Sequence, residues 1–174
     1  LNLFSNIDME KRNYYVTFSS VSLQKEPDRV SLLPQQAGLF PIASVKGESL
    51  GEGIAAFLYF YGHIATPFLV KKVERFFKRL YESNFGFCRF DVVIQYAGYD
   101  RKIIQMFQQA PTERMIFAHN DMVRELALKY HPKEPAFRTA YQNYDKVIPV
   151  TEDIYPSILQ LRGRAENICV VNNC

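Results

Sequence analysis

The sequence predicts an α/β fold: a Rossmann-like, open and mostly parallel sheet with helices on both faces. Four short apolar runs have the composition of buried strands. They lie at residues 92–96, 115–118, 147–150 and 168–171, and the first three are predicted to be buried central strands of the sheet. Amphipathic stretches that predict helices separate the runs. They lie at residues 101–109, 122–130 and 153–161. Strands that alternate with helices imply right-handed crossovers and a parallel sheet.

The first part of the chain is predicted to contribute two strands and a helix. Residues 14–18 are β-branched and aromatic and follow a polar turn, which predicts a strand. Residues 36–42 are a weaker strand candidate, because Pro41 cannot donate to a sheet ladder. Residues 47–53 are loop-like. An apolar helix is expected over residues 54–61.

A long amphipathic helix is predicted from Pro67 to about residue 83, since proline is favoured in the first turn of a helix. Apolar side chains recur at helical spacing on one of its faces. The opposite face carries five cations, Lys71, Lys72, Arg75, Lys78 and Arg79. Two interpretations remain open for these cations: an ordinary solvated face, or a surface that docks on anionic membrane lipid.

Length and composition restrict the class of protein. A chain of 174 residues is long enough to form one domain with a buried core. A content of 48% hydrophobic and 22% charged residues is typical of an ordered globular protein. The net charge of +3 is too small to indicate a nucleic-acid partner. Neither a signal peptide nor a membrane-spanning run is evident, so we expect a cytoplasmic protein.

The sequence contains no pattern that indicates a metal site or a cofactor. The potential soft ligands are Cys88, Cys169, Cys174, His63, His119 and His131. None of them has the paired spacing of metal ligands, and the cysteines are expected to be reduced thiols. A G-x-S-x-G sequence and a phosphate-binding glycine loop are also missing. Hydrolase, kinase and dehydrogenase activities therefore lack motif support.

His119 is the first candidate for a catalytic residue. In an open parallel sheet, ligands bind at the carboxyl ends of the strands, and His119 directly follows the run at 115–118. Its imidazole would suit a general base or a hydroxyl ligand. The alternative is a histidine bonded to a neighbouring loop carbonyl. Asn120 and Asp121 come next and are equally explained as caps of the following helix.

Other side chains at the same predicted edge favour a neutral ligand. Tyr96 and Tyr99 flank Gly98, and aromatic rings beside such a turn suit the C–H faces of sugars. Thr151 resembles a helix cap and is followed by two acidic residues. Acidic side chains where helices begin compete with a bound phosphate. The edge is therefore better suited to a sugar or polyol acceptor than to nucleotide phosphates.

Several of these segments resemble a known family. Residues 140–153 (AYQNYDKVIPVTED) with residues 164–173 resemble the stretch that closes the N-terminal domain of GT-B glycosyltransferases. Residues 90–99 (FDVVIQYAGY) and 117–122 (FAHNDM) are similar to bacterial sugar transferases of surface-polysaccharide and teichoic-acid loci. Residues 1–8 match the end of that family's first helix.

The resemblance implies that residues 1–174 are the acceptor-side domain of a metal-independent GT-B enzyme, truncated at both ends. The nucleotide-sugar donor would then be held mainly by a C-terminal domain beyond this sequence, and this part alone would be inactive. Similar enzymes often have a histidine where His119 stands. Many of them also have histidines near residues 96–99, where this chain has none.

Two alternatives remain open. Similar domains occur beside polymerases that use CDP-glycerol, which would make the chain a partner domain of a glycerophosphotransferase. In the second alternative, the chain is a binding module that has the same fold and no catalytic activity. The coding sequence beyond Cys174 would distinguish these alternatives.

Overall fold

The computed structural model describes residues 8–18, 24–25, 27–42, 49–129 and 134–172. They fall into two compact units, and the chain passes from the first to the second between residues 45 and 46. The predicted helix end at residues 1–7 lies outside the described residues.

The first unit contains a short parallel pair of strands. Strand β1 (Tyr15–Val16) pairs with strand β2 (Gly38–Leu39). The amides of Phe40 and Ile42 continue the pairing, each donating across it at 2.9 Å. Pro41 lies between these two donors, so its missing N–H removes no hydrogen bond. Both predicted strands of this region are confirmed, although they are short.

The second unit begins with two packed helices. Helix α1 spans Leu50–Phe60, and the side chains of Ser49 and Glu52 form a reciprocal capping box at its start. The prediction of a loop at residues 47–53 is therefore wrong from residue 50 onward. Helix α1 begins directly after its cap, Ser49, and not at the apolar run that starts at residue 54. Helix α2 spans Pro67–Phe85, as its proline start predicted.

Three parallel strands form the main sheet in the order β3-β4-β5. They are β3 (Val92–Gln95), β4 (Glu113–Ala118) and β5 (Lys146–Pro149). The fourth predicted strand is reduced to a parallel bridge between Val147 and Ile168. The predicted α/β class, with parallel strands in open sheets flanked by helices, is confirmed.

Strand β3 lies at one end of the sheet formed by the described residues, and not in its centre as its apolar sequence predicted. Its side chains alternate in burial, with Val93 and Gln95 buried and Ile94 47% exposed. A run that is apolar at nearly every position does not distinguish an end strand from a central one.

Four further helices flank this sheet. They are α3 (Arg101–Phe107), α4 (Met122–Leu128), α5 (Pro135–Asn143) and α6 (Tyr155–Arg162). Helix α6 follows a short 3-10 turn, Glu152–Ile154. Helix α5, like the 3-10 helix Pro27–Leu32 of the first unit, is absent from the sequence prediction. It packs against α3 and α6 and completes the core with Phe137 and Tyr141, which are fully buried.

In the part of the chain that the structure describes, no helix has both the length and the apolar content needed to cross a bilayer. Helix α2 has 19 residues, but charged side chains line its exposed face. Cys88 and Cys169 are free thiols, and Cys174 lies outside the described residues.

Candidate functional site

The carboxyl ends of β3, β4 and β5 meet at one edge of the sheet because the strands are parallel. Tyr96 follows β3, His119 follows β4, and Thr151 lies two residues beyond β5. The amide of Val150 donates to the carbonyl of Ala118 at 3.1 Å and holds the ends of β4 and β5 together. The edge is therefore a continuous surface.

His119 is tied to the end of the neighbouring strand. Its Nε2 lies 2.7 Å from the carbonyl oxygen of Tyr96. A carbonyl oxygen only accepts, so Nε2 carries the proton of this hydrogen bond. In the neutral imidazole, Nδ1 is then an acceptor, and no hydrogen bond to it is formed within the described residues. The bond to a loop carbonyl, which the sequence left as an alternative, is present and leaves one ring nitrogen available.

Two aromatic rings lie beside the imidazole of His119. The ring of Tyr96 lies 5.0 Å from the imidazole and also 5.0 Å from the ring of Phe117. Phe117 stacks on the imidazole with 6.1 Å between the ring centres. Tyr96 is 40% exposed, so part of this ring cluster faces solvent. Tyr96, Phe117 and His119 are called the aromatic edge below.

Gly98 allows the loop after β3 to turn next to the backbone of Phe117. Its φ is +71°, a conformation that favours glycine, and its amide donates to the side chain of Gln95 at 3.3 Å. The next residue, Tyr99, lies near the buried phenol of Tyr141. Gly98 thus lies in the backbone turn next to the aromatic edge. Tyr99 lies beside the core.

Asn120 and Asp121 both make hydrogen bonds to helix α4. Asp121 is the N-cap of α4 and accepts from the amide of Arg124 at 3.0 Å. This backbone hydrogen bond is the main reason that the pKa of Asp121 lies below its usual value. Asn120 donates to Glu125 at 3.2 Å. The capping interpretation of Asp121 is confirmed, and a carboxylate occupies the start of α4 where an anion would otherwise bind.

Thr151 occupies the cap position before the 3-10 turn, but its side chain makes no capping hydrogen bond, contrary to the sequence prediction. It is exposed, as are Glu152 and Asp153 after it. A turn this short offers the side chain little helix to cap. The hydroxyl of Thr151 therefore lies at the sheet edge with solvent around it.

Sequence reasoning missed a buried ionic cluster near the start of α3. The carboxylate of Glu134 is fully buried and lies 2.9 Å from Arg101 and 3.1 Å from Nδ1 of His63. Arg101 also donates to the carbonyl of Phe60 at 2.8 Å. The members of this cluster lie far apart in sequence, and Glu134 caps helix α5, which the sequence did not predict. Only the fold brings them together.

The five cations of α2 divide into two groups. Arg79 bonds to Glu52 of α1, and Lys78 lies 4.0 Å from Glu82 one turn later. The other three form no ion pair among the described residues: Lys71, Lys72 and Arg75. The face is therefore not uniform, and the cations that lack a carboxylate partner among the described residues lie in its first half.

No group of three or more histidine, cysteine or acidic side chains able to hold a metal ion occurs within the described residues. No family model matches the chain, and no curated protein matches its sequence. The geometry of the sheet edge therefore carries the functional argument.

Proposed function

We propose that this chain is the acceptor-side domain of a glycosyltransferase and that the aromatic edge binds a sugar or polyol. The observation that carries the proposal is the arrangement of His119. Its Nε2 is engaged by the carbonyl of Tyr96, and its Nδ1 is an acceptor beside two aromatic rings. A sugar or a polyol supplies both a hydroxyl donor for Nδ1 and C–H groups for the rings, which supports the proposal.

The chemistry assigned to His119 is general-base catalysis. Nδ1 takes the proton of an acceptor hydroxyl as that oxygen attacks the anomeric carbon of the donor sugar, and the nucleoside diphosphate leaves. The bond from Nε2 to Tyr96 fixes the ring orientation and stabilises the imidazolium that forms. A positioned base of this kind contributes roughly 10²- to 10⁴-fold to the rate.

The electrostatics of the edge fit a neutral acceptor. Asp121 is an anion at the start of α4, and Glu152 and Asp153 are exposed after β5. These charges repel phosphate groups. The nucleotide-sugar donor would accordingly be held mainly by a C-terminal domain, as the family resemblance implies.

The same resemblance suggests the biological setting, which is synthesis of a bacterial surface polysaccharide or teichoic acid. The acceptor would then be linked to a lipid or a growing polymer. A cytoplasmic enzyme that uses such an acceptor works at the inner face of the plasma membrane.

The test is donor consumption by the full-length protein, with UDP-sugars and CDP-glycerol as probes and glycerol or ribitol as acceptor. We expect a UDP-sugar to be consumed. His119→Gln keeps a donor for the Tyr96 carbonyl but lacks the base, so its kcat should fall on the order of 10²-fold with little change in melting temperature. Wild-type turnover by this variant would overturn the proposal. Consumption of CDP-glycerol alone would overturn it in favour of a glycerophosphotransferase, and acceptor binding without any turnover would indicate a binding module.

A further inference from the structure

Helix α1 carries a stripe of large apolar side chains on its solvent face. The stripe consists of Leu50, Ile54, Phe57 and Tyr61, which recur every three or four residues and are 83%, 52%, 61% and 61% exposed. Ala55 and Tyr59 on the opposite side of the helix are buried. The stripe is therefore additional to the face that packs into the core.

The stripe continues onto the start of α2. Phe68 is 67% exposed there, and Nζ of Lys72 lies 4.7 Å from the centre of its ring. The same Nζ is 3.5 Å from the position that a Cβ on Gly51 would occupy, so Lys72 reaches α1 beside Leu50. An exposed apolar row of this extent on a folded protein indicates an interaction surface.

The cations beside the stripe indicate its partner. Lys71, Lys72 and Arg75 follow Phe68 by three, four and seven residues and so lie on its side of α2. These are the three that form no ion pair among the described residues. Lysine and arginine side chains that flank exposed aromatic and aliphatic ones match an interface with anionic headgroups above hydrocarbon.

We propose that the α1 stripe docks on an anionic lipid bilayer. Leu50, Ile54 and Phe57 enter the boundary between headgroups and acyl chains, with Tyr61 at the level of the headgroups. Lys71, Lys72 and Arg75 contact the lipid phosphates. The proposal does not depend on sugar transfer, because it uses no residue of the aromatic edge.

The chain contains no tryptophan, so a single introduced indole reports on the stripe. Phe57→Trp places it in the stripe, and Phe87→Trp places it at an equally accessible site outside, since Phe87 is 72% exposed. The probes are phosphatidylcholine vesicles with and without phosphatidylglycerol. We expect a blue shift of emission for Phe57→Trp only with phosphatidylglycerol, and no shift for Phe87→Trp.

Changing Lys71, Lys72 and Arg75 together to Gln should weaken this binding by roughly 10²-fold, since each surface cation contributes about a factor of five. Lys78→Gln, which removes one charge from the other half of α2, is the control and should bind like the parent. Circular dichroism melts confirm that each variant is folded. The proposal is overturned by no blue shift, by equal shifts at both positions, or by a shift of Phe57→Trp that rises with protein concentration without lipid. The last result would make a second copy of the chain the partner.

Discussion

Gly98 lies directly against the backbone of Phe117. A Cβ added to Gly98 would be 2.7 Å from the Phe117 carbonyl oxygen, closer than carbon and oxygen approach without a bond. The loop after β3 is thus packed onto β4 at the point where Tyr96 accepts the hydrogen bond of His119.

Gly98→Ala should therefore destabilise the fold by about 2–3 kcal/mol, because a positive φ and a steric clash act together. Gly163→Ala has a φ of +75° but no atom within 4 Å, and should cost only about 1 kcal/mol. Gly53→Ala, inside α1 with nothing within 4 Å, should stabilise by about 0.5–1 kcal/mol. Urea unfolding monitored by circular dichroism gives the three values. Equal costs at Gly98 and Gly163 would show that the clash does not exist.

Two buried tyrosines provide a matched pair. The hydroxyl of Tyr144 donates to the carbonyl of Ile104 at 2.9 Å, whereas that of Tyr141 has no hydrogen-bond partner among the described residues. Tyr144→Phe should lower the free energy of unfolding by about 1 kcal/mol. Tyr141→Phe should leave it unchanged or raise it by up to about 1 kcal/mol, because an unsatisfied buried hydroxyl is removed. A larger loss for Tyr141→Phe than for Tyr144→Phe would contradict this assignment.

Arg114 and Asp145 join the amino-terminal ends of β4 and β5. The guanidinium donates from Nε and Nη2 to the two carboxylate oxygens, both at 2.9 Å. These hydrogen bonds hold the pKa of Asp145 below its usual value. A lowered pKa in the folded state means that the pair stabilises fully above the unfolded pKa of about 3.9 and that this stabilisation is lost as the pH falls through the folded pKa.

Asp145→Asn should thus lower the free energy of unfolding at pH 7 by about 1–2 kcal/mol, a value that allows for the partial exposure of the pair. The difference from wild type should shrink as the pH falls below about 4. Thermal melts of both proteins between neutral and acidic pH measure it. A difference that stays constant over this range would show that the carboxylate charge does not contribute.

The buried cluster around Glu134 predicts strong coupling. Glu134→Gln leaves Arg101 with a neutral partner in a buried site, which should cost about 3 kcal/mol. Arg101→Met alone removes the guanidinium from the buried carboxylate and should cost a similar amount. The double variant should cost clearly less than the two costs added, and denaturant unfolding of all three proteins tests this. Additive costs would mean that the two side chains do not interact.

The sequence predicted the elements whose signals are local. Helix α2 begins at Pro67 as expected, and all three strands of the main sheet are found at the predicted apolar runs. The start of α1 also has a local signal, because Ser49 and Glu52 have the spacing of a capping box. The glycines on either side of Glu52 favoured a loop instead, and the prediction followed them.

What the sequence could not predict depends on contacts between distant residues. Helix α5 is short, and its N-cap is Glu134, whose carboxylate is stabilised by Arg101, 33 positions earlier. His119 could be placed at the sheet edge from its position after an apolar run. Its hydrogen bond to Tyr96 required the register of β3 on β4, which no local pattern specifies.

The most direct test of the central claim is NMR of the chain with isotopically labelled histidine side chains, titrated with methyl glycosides and ribitol. The sequence has three histidines, and His119→Gln assigns the signal of interest. We predict that the free protein shows His119 as the Nε2–H tautomer and that a sugar or ribitol shifts its Nδ1 signal, with that of His63 unchanged. An Nδ1–H tautomer at His119, or an Nδ1 signal that no probe shifts, would contradict the account.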